Sequence, residues 1–248
     1  GRKLILCGEE DTLLIIYHPD TTPEKINRIS DLVREHFGKT ERKNCLFLLD
    51  SLMQSMNHKI LYLNENPVDV DRMYNDDLAA VNEKIVSALN SGTAEGYIIL
   101  TGQPGNGKSS YLKHLTRVCS RRFLYMSKWT SVWFDMYHFD WIRQTYSDSV
   151  LILENIDELL KDDQKNKGSM TRSLQDIVRG KLRTGFFMPV IITIDQPAAS
   201  FPQLAGLKSE YLIAHYDFRP LAEGKARILA NSLGKSMEIK GPVTISDI

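Results

Sequence analysis

Apolar positions along the chain follow two rhythms. Short runs, continuous or alternating, predict strands at residues 3–7, 12–17, 44–49, 59–63, 97–101, 123–126, 150–153, 189–194 and 211–216. Apolar residues at helical spacing fall between them. Ile26, Ile29, Leu32, Val33 and Phe37 mark one helix, opened by Thr22 and Pro23 and closed by Gly38. Leu78, Val81, Ile85, Val86 and Leu89 mark another over 76–89. Further helices are predicted over 108–119, 137–146, 169–182 and 221–233. Lys161 to Lys167 is dense in charge and reads as a solvated loop.

The turn-rich Asn64-Glu65-Asn66-Pro67 separates two organisations. Residues 1–66 read as a small α+β domain. Residues 67–248 alternate strand and helix, and their strands are apolar throughout. That combination predicts an α/β domain with a parallel sheet covered by helices on both faces.

The connection after strand 97–101 carries the sharpest chemical signal. Gly102-Gln103-Pro104-Gly105-Asn106-Gly107-Lys108-Ser109 places glycines where a backbone must turn its N–H groups inward. Such a loop, opening a helix, cradles phosphates. Lys108 is expected to reach the β- and γ-phosphates, and the Ser109 hydroxyl to meet Mg²⁺, with Ser110 beside it. A glycine-rich turn without a ligand needs neither Lys108 nor Ser109. ATP and Mg²⁺ are the expected cofactors.

A second signal is Val150-Leu151-Ile152-Leu153-Glu154-Asn155. Four apolar residues bury the strand, and its C-terminal end delivers an acid where open α/β sheets bind ligands. Glu154 is the candidate Mg²⁺ ligand together with Ser109. Asn155 stands where a water-activating acid belongs. An amide orients a water and accepts no proton, and loss of a general base costs on the order of 10²–10⁴ in rate.

Composition narrows the picture. Hydrophobic residues make up 42% and charged residues 25% of the 248 positions, the balance of a globular protein. Lys plus Arg and Asp plus Glu are 31 each, so no basic field announces a nucleic-acid partner. No apolar run is long enough to span a bilayer. Cys7, Cys45 and Cys119 form no C-x-x-C pair, which suits a reducing, cytoplasmic setting. The six histidines show no zinc spacing.

The runs 97–111 and 149–160 together resemble AAA+ ATPases. More narrowly they resemble small bacterial AAA-family ATPases related to the mitochondrial Rieske-protein translocase. Met73-Tyr74-Asn75-Asp76-Asp77 is similar to a signature preceding the phosphate loop in that group, and 214–221 is similar to the link into a helical lid. The resemblance covers roughly residues 68–248. It implies a P-loop NTPase fold with a partial lid from about residue 219, assembly into a homo- or hetero-oligomer, and remodelling of a protein partner. It also marks departures. Asp195 stands at the sensor 1 position, where an added carboxylate repels a γ-phosphate unless protonated or metal-bound. Lys208 and Tyr211 fall where arginine fingers are expected, and lysine lacks the bidentate fork. Thr244 to Ile248 reads as the opening of a lid helix, without an identifiable sensor 2 arginine.

Two functions remain open. One is an ATP hydrolase, slow because Asn155, Asp195 and Lys208 are weakened positions. The other is a nucleotide-binding scaffold or regulatory subunit. No N/T-K-x-D motif supports a GTPase. The aromatic stretch Trp129 to Tyr146 reads as packing against the sheet or, by family position, as a polypeptide-gripping loop.

Overall fold

The computed structural model describes residues 4–9, 12–18, 20–37, 45–52, 55–63, 68–91, 94–126, 142, 146, 149–165, 188–201, 204 and 209–248. The chain divides into two compact units, Gly1–Glu41 and Arg42–Ile248. In the first, strands β1 (Leu4–Glu9) and β2 (Thr12–Tyr17) pair antiparallel, from Leu4 against Tyr17 to Glu9 against Thr12. Helix α1 (Pro23–Phe37) follows. The Thr22 carbonyl accepts its first bonds, from Lys25 at 3.0 Å and Ile26 at 3.2 Å. Pro23 fits the first helical position because no N–H is needed there.

The second unit holds a seven-stranded sheet. Its elements are β3 (Cys45–Leu52), β4 (Ser55–Tyr62), α2 (Val70–Met73), α3 (Leu78–Asn90), β5 (Tyr97–Thr101), α4 (Lys108–Val118), β6 (Arg122–Met126), β7 (Ser149–Leu153), α5 (Asp157–Lys165), β8 (Val190–Ile194), β9 (Leu212–Asp217) and α6 (Glu223–Ser232). The strand order is β4-β3-β6-β7-β8-β5-β9. All neighbours are parallel except the antiparallel pair β3–β4. The expected border at 66/67 therefore moves. β3 pairs in parallel with β6, Leu46 against Phe123 through Leu49 against Met126, so the hairpin belongs to the large sheet.

Every residue of β5, β7 and β8 is buried. Alternate residues enter opposite cores. Leu151, Leu153, Ile192 and Ile194 meet Ile156 and Leu160 on one face. Val150, Ile152, Ile98 and Leu100 meet Ile85, Leu89, Tyr111 and Leu115 on the other. Strands covered on both sides are largely apolar, and each fully buried Leu or Ile contributes about 1.5–3 kcal/mol. A third cluster joins Leu221, Ala226, Leu229 and Ala230 to Ile239 and Ile248. Leu221 and Val243 exchange backbone bonds at 2.8 and 3.1 Å, fastening the C-terminal segment.

One expected loop is a helix. α5 continues through Lys161 to Lys165, where a solvated loop was expected over 161–167. Its apolar stripe is short, with Leu160 buried and Lys161 exposed, so the charged face dominates the local pattern. The expected helix over 169–182 lies outside the described residues. So does the aromatic stretch from Trp129, apart from the buried Ile142 and Tyr146. Among the described residues no helix is long and apolar enough to cross a membrane.

Candidate functional site

The site begins where β5 ends. Gly102, Gly105 and Gly107 have φ of 136°, 86° and 91°, values that L side chains rarely adopt. Space is also closed to them. A Cβ on Gly102 would fall on the Phe218 carbonyl, and one on Gly107 would lie 2.8 Å from both Tyr74 and Ile245. The Asn106 amide donates to the Phe218 carbonyl at 2.7 Å. The Ser246 N–H donates to the Gly105 carbonyl at 3.1 Å. α4 starts at Lys108, with Gly107 as its left-handed cap. The first amides of that helix have no intrahelical acceptor and form its positive end.

Lys108 is only 5% exposed, unusual for lysine. Its ammonium donates to the carbonyls of Gly102 and, at 3.2 Å, Gln103. It also pairs with Oδ1 of Asp195 at 2.9 Å. An ammonium has three donors, and three acceptors hold them. Asp195 is placed by Asp157 at the start of α5. The Asp157 carboxylate accepts the Asp195 N–H at 2.9 and 3.1 Å and the Gln196 N–H at 3.1 Å. The Asp195 carboxylate, expected to repel a γ-phosphate unless protonated or metal-bound, is paired with an ammonium of the same chain.

Ser109 and Glu154, the two expected metal ligands, come together. The Ser109 hydroxyl donates to Oε1 of Glu154. On the neighbouring strand β6, the Tyr125 phenol is pushed well above its ordinary range, by burial first and then by the charge and hydrogen bond of Glu154. A hydroxyl beside a carboxylate is a hard-oxygen pair of the kind Mg²⁺ takes, with water and phosphate oxygens completing its shell. Among the described residues no group of three or more His, Cys, Asp or Glu gathers as a metal site.

Asn155 has φ of 54°, the non-glycine residue with positive φ among the described residues. Asparagine tolerates this conformation better than most residues. The Asn155 N–H donates to Oγ1 of Thr193 at 2.9 Å, and that hydroxyl faces Asn155 Oδ1 at 3.4 Å. Its side-chain oxygen is thus already engaged.

The segment before α3 fastens the far end of the chain. Asn75 donates to the Pro220 carbonyl at 3.2 Å and accepts from the Ala222 N–H at 3.0 Å. Asp77 accepts from the Tyr216 hydroxyl at 2.8 Å and pairs with Arg219. Lys225 pairs with Asp76 at 2.6 Å. These bonds hold Thr244 to Ser246 against the glycine loop through the cluster around Leu221. A cavity of about 320 Å³ lies over the loop, bordered by Gly105, Lys108, Ser109, Asn155, Asp195 and Ile245. That is the low end of ligand cavities, which span roughly 300–1,000 Å³.

The structure thus brings Gly102 to Ser110, Glu154, Asn155 and Asp195 to one place. Lys208 lies outside the described residues. Tyr211 packs against the core, away from any role as a charge. Asp157, Tyr125 and Thr193 were not singled out by the sequence. Position was their only signal, each lying at or just past the C-terminal end of a strand.

No protein-family model matches the chain, and no curated protein matches it. The fold is an α/β class built on a mostly parallel seven-stranded sheet, with the glycine loop and its acid at the C-terminal ends of the strands.

Proposed function

We propose that this chain is a P-loop protein of AAA+ type that binds ATP with Mg²⁺ and hydrolyses it slowly, in an oligomer that remodels a protein partner. One observation carries the reading. A lysine almost wholly buried sits inside a loop of three positive-φ glycines, beside a serine hydroxyl bonded to a strand-end carboxylate. Burying an ammonium is costly unless its site is built for charge. Lys108 would bind the β- and γ-phosphates, the α4 amides the β-phosphate, and Ser109 with Glu154 would hold Mg²⁺, which supplies neutralisation of charge on the phosphates.

A specific observation favours the second reading, a nucleotide-binding scaffold. Asn155 accepts no proton, and its Oδ1 faces Thr193. Glu154 is committed to Ser109 and Tyr125, so no described carboxylate is left in the ordinary place of a water-activating base. Steady-state phosphate release from Mg·ATP, with Lys108→Ala as control, decides between the two. Release that depends on Lys108 supports the hydrolase. Nucleotide binding without Lys108-dependent release supports the scaffold. Absence of both contradicts each.

A further inference from the structure

The pairing of Lys108 with Asp195 has a consequence for which nucleotide the site prefers. We infer that Asp195 is an internal surrogate for the γ-phosphate, so that the site selects nucleoside diphosphates over triphosphates. The inference rests on the nucleotide-binding reading above.

The donors of the ammonium decide the matter. Two of its three acceptors, the carbonyls of Gly102 and Gln103, belong to the loop itself. They cannot leave without unfolding the glycine turn. The third is a side chain about one-third exposed, 2.9 Å away. A β-phosphate is captured mainly by backbone amides and the helix end, which the ion pair leaves alone. A γ-phosphate needs the ammonium on the side Asp195 occupies. It must break a charge-assisted bond and then sit beside a displaced carboxylate.

The backbone that carries Asp195 is held in place. Its N–H is held by both oxygens of Asp157, and the next N–H by one of them. Asp157 is itself barely exposed, at 9%. Asp157 thus acts as a positioning residue, fixing the main chain from which the carboxylate reaches the ammonium. Asp195 borders the same cavity as Lys108 and Ser109, so the anion stands at the wall of the space a triphosphate would enter.

The test is calorimetric titration of wild type, Asp195→Asn and Asp195→Ala with ADP and with ATP, each with Mg²⁺. Lys108→Ala serves as the site control. Circular dichroism verifies that each variant is folded, and Asp195→Asn is the gentler of the two because it keeps an oxygen acceptor for the Lys108 ammonium. In wild type, ADP is expected to bind more tightly than ATP. Both Asp195 variants are expected to raise ATP affinity on the order of tenfold to a hundredfold, the scale of one lost charged bond, with ADP affinity moving much less. Equal gains for ADP and ATP, or no gain for ATP, would overturn the selectivity while leaving nucleotide binding intact. Absence of binding by both nucleotides in all proteins would remove the nucleotide-binding reading, and this inference with it.

Discussion

The Tyr74 hydroxyl donates to the carbonyl of Gly107 at 2.9 Å, joining a side chain 33 residues upstream to the cap of α4. The ring is 2% exposed and stands edge-on to Phe218 at 5.5 Å and to Tyr111 at 6.0 Å. The glycine loop is therefore held from outside as well as by its own bonds.

Tyr74→Phe keeps the ring contacts and removes the donor. The Gly107 carbonyl retains its bond from the Tyr111 N–H, so it is not orphaned. The expected loss is about 0.5–1.5 kcal/mol. Tyr74→Ala removes the ring as well and should cost about 3–5 kcal/mol. Urea unfolding of both variants measures the difference, and equal losses would contradict a separate contribution from the ring.

Gly102→Ala should be severe. Its φ of 136° is open almost only to glycine, and the new methyl group meets the Phe218 backbone, which cannot yield as a side chain would. A loss of about 2 kcal/mol or more is expected. Gly224, with open space around its Cβ position, provides the contrast. Gly224→Ala lies near the start of α6 and should be neutral or stabilising by roughly 0.4–1 kcal/mol. Thermal or urea denaturation of the pair checks both signs.

Asn155 separates backbone from chemistry. Asn155→Gly keeps the positive φ without strain, whereas Asn155→Ala adds roughly 1–2 kcal/mol of left-handed cost. Asn155→Asp tolerates the conformation and supplies a proton acceptor. If hydrolysis is limited by the missing base, phosphate release by Asn155→Asp should rise on the order of tenfold or more. No rise would place the limit elsewhere, with Asp195 next in line.

Much of this was legible in the sequence because burial writes itself locally. Ile98 to Leu100 and Val150 to Leu153 are apolar throughout, and Val190 to Ile194 is apolar but for Thr193, since both sides of each strand are covered. The glycine loop was legible because Gly102, Gly105 and Gly107 stand where the backbone takes positive φ before α4. The assignment of β3–β4 to the large sheet was not legible, because strand order is a tertiary fact that no local pattern encodes. Lys161 to Lys165 misled because a helix with one narrow apolar stripe looks like a charged loop. The Asp195 carboxylate was expected to repel phosphate. It pairs with Lys108, while Asp157, 38 residues away, holds the turn after β8.

Stability should decline at both ends of the pH scale. Burial pushes the Cys119 thiol from 9.0 up to about 12. Burial is also the leading reason that Tyr74, Tyr111 and Tyr216 are raised. The unfolded chain releases these protons first, so stability is full below about pH 9 and falls as pH climbs toward 12. His114 shifts the other way. Burial chiefly, and then Arg117, lowers it from 6.5. The unfolded chain takes up that proton first, so stability is lost as pH falls below 6.5. Urea midpoints across pH test both limbs. Cys119→Ala should flatten part of the alkaline limb and His114→Gln the acid limb; unchanged slopes would contradict the assignments.

The most direct test of the account is calorimetric titration with Mg·ADP of the wild-type chain beside Lys108→Ala. The account predicts saturable binding with a Kd of roughly 1 mM or tighter, reduced at least tenfold by the substitution. No binding by wild type, or equal binding by both proteins, would contradict it.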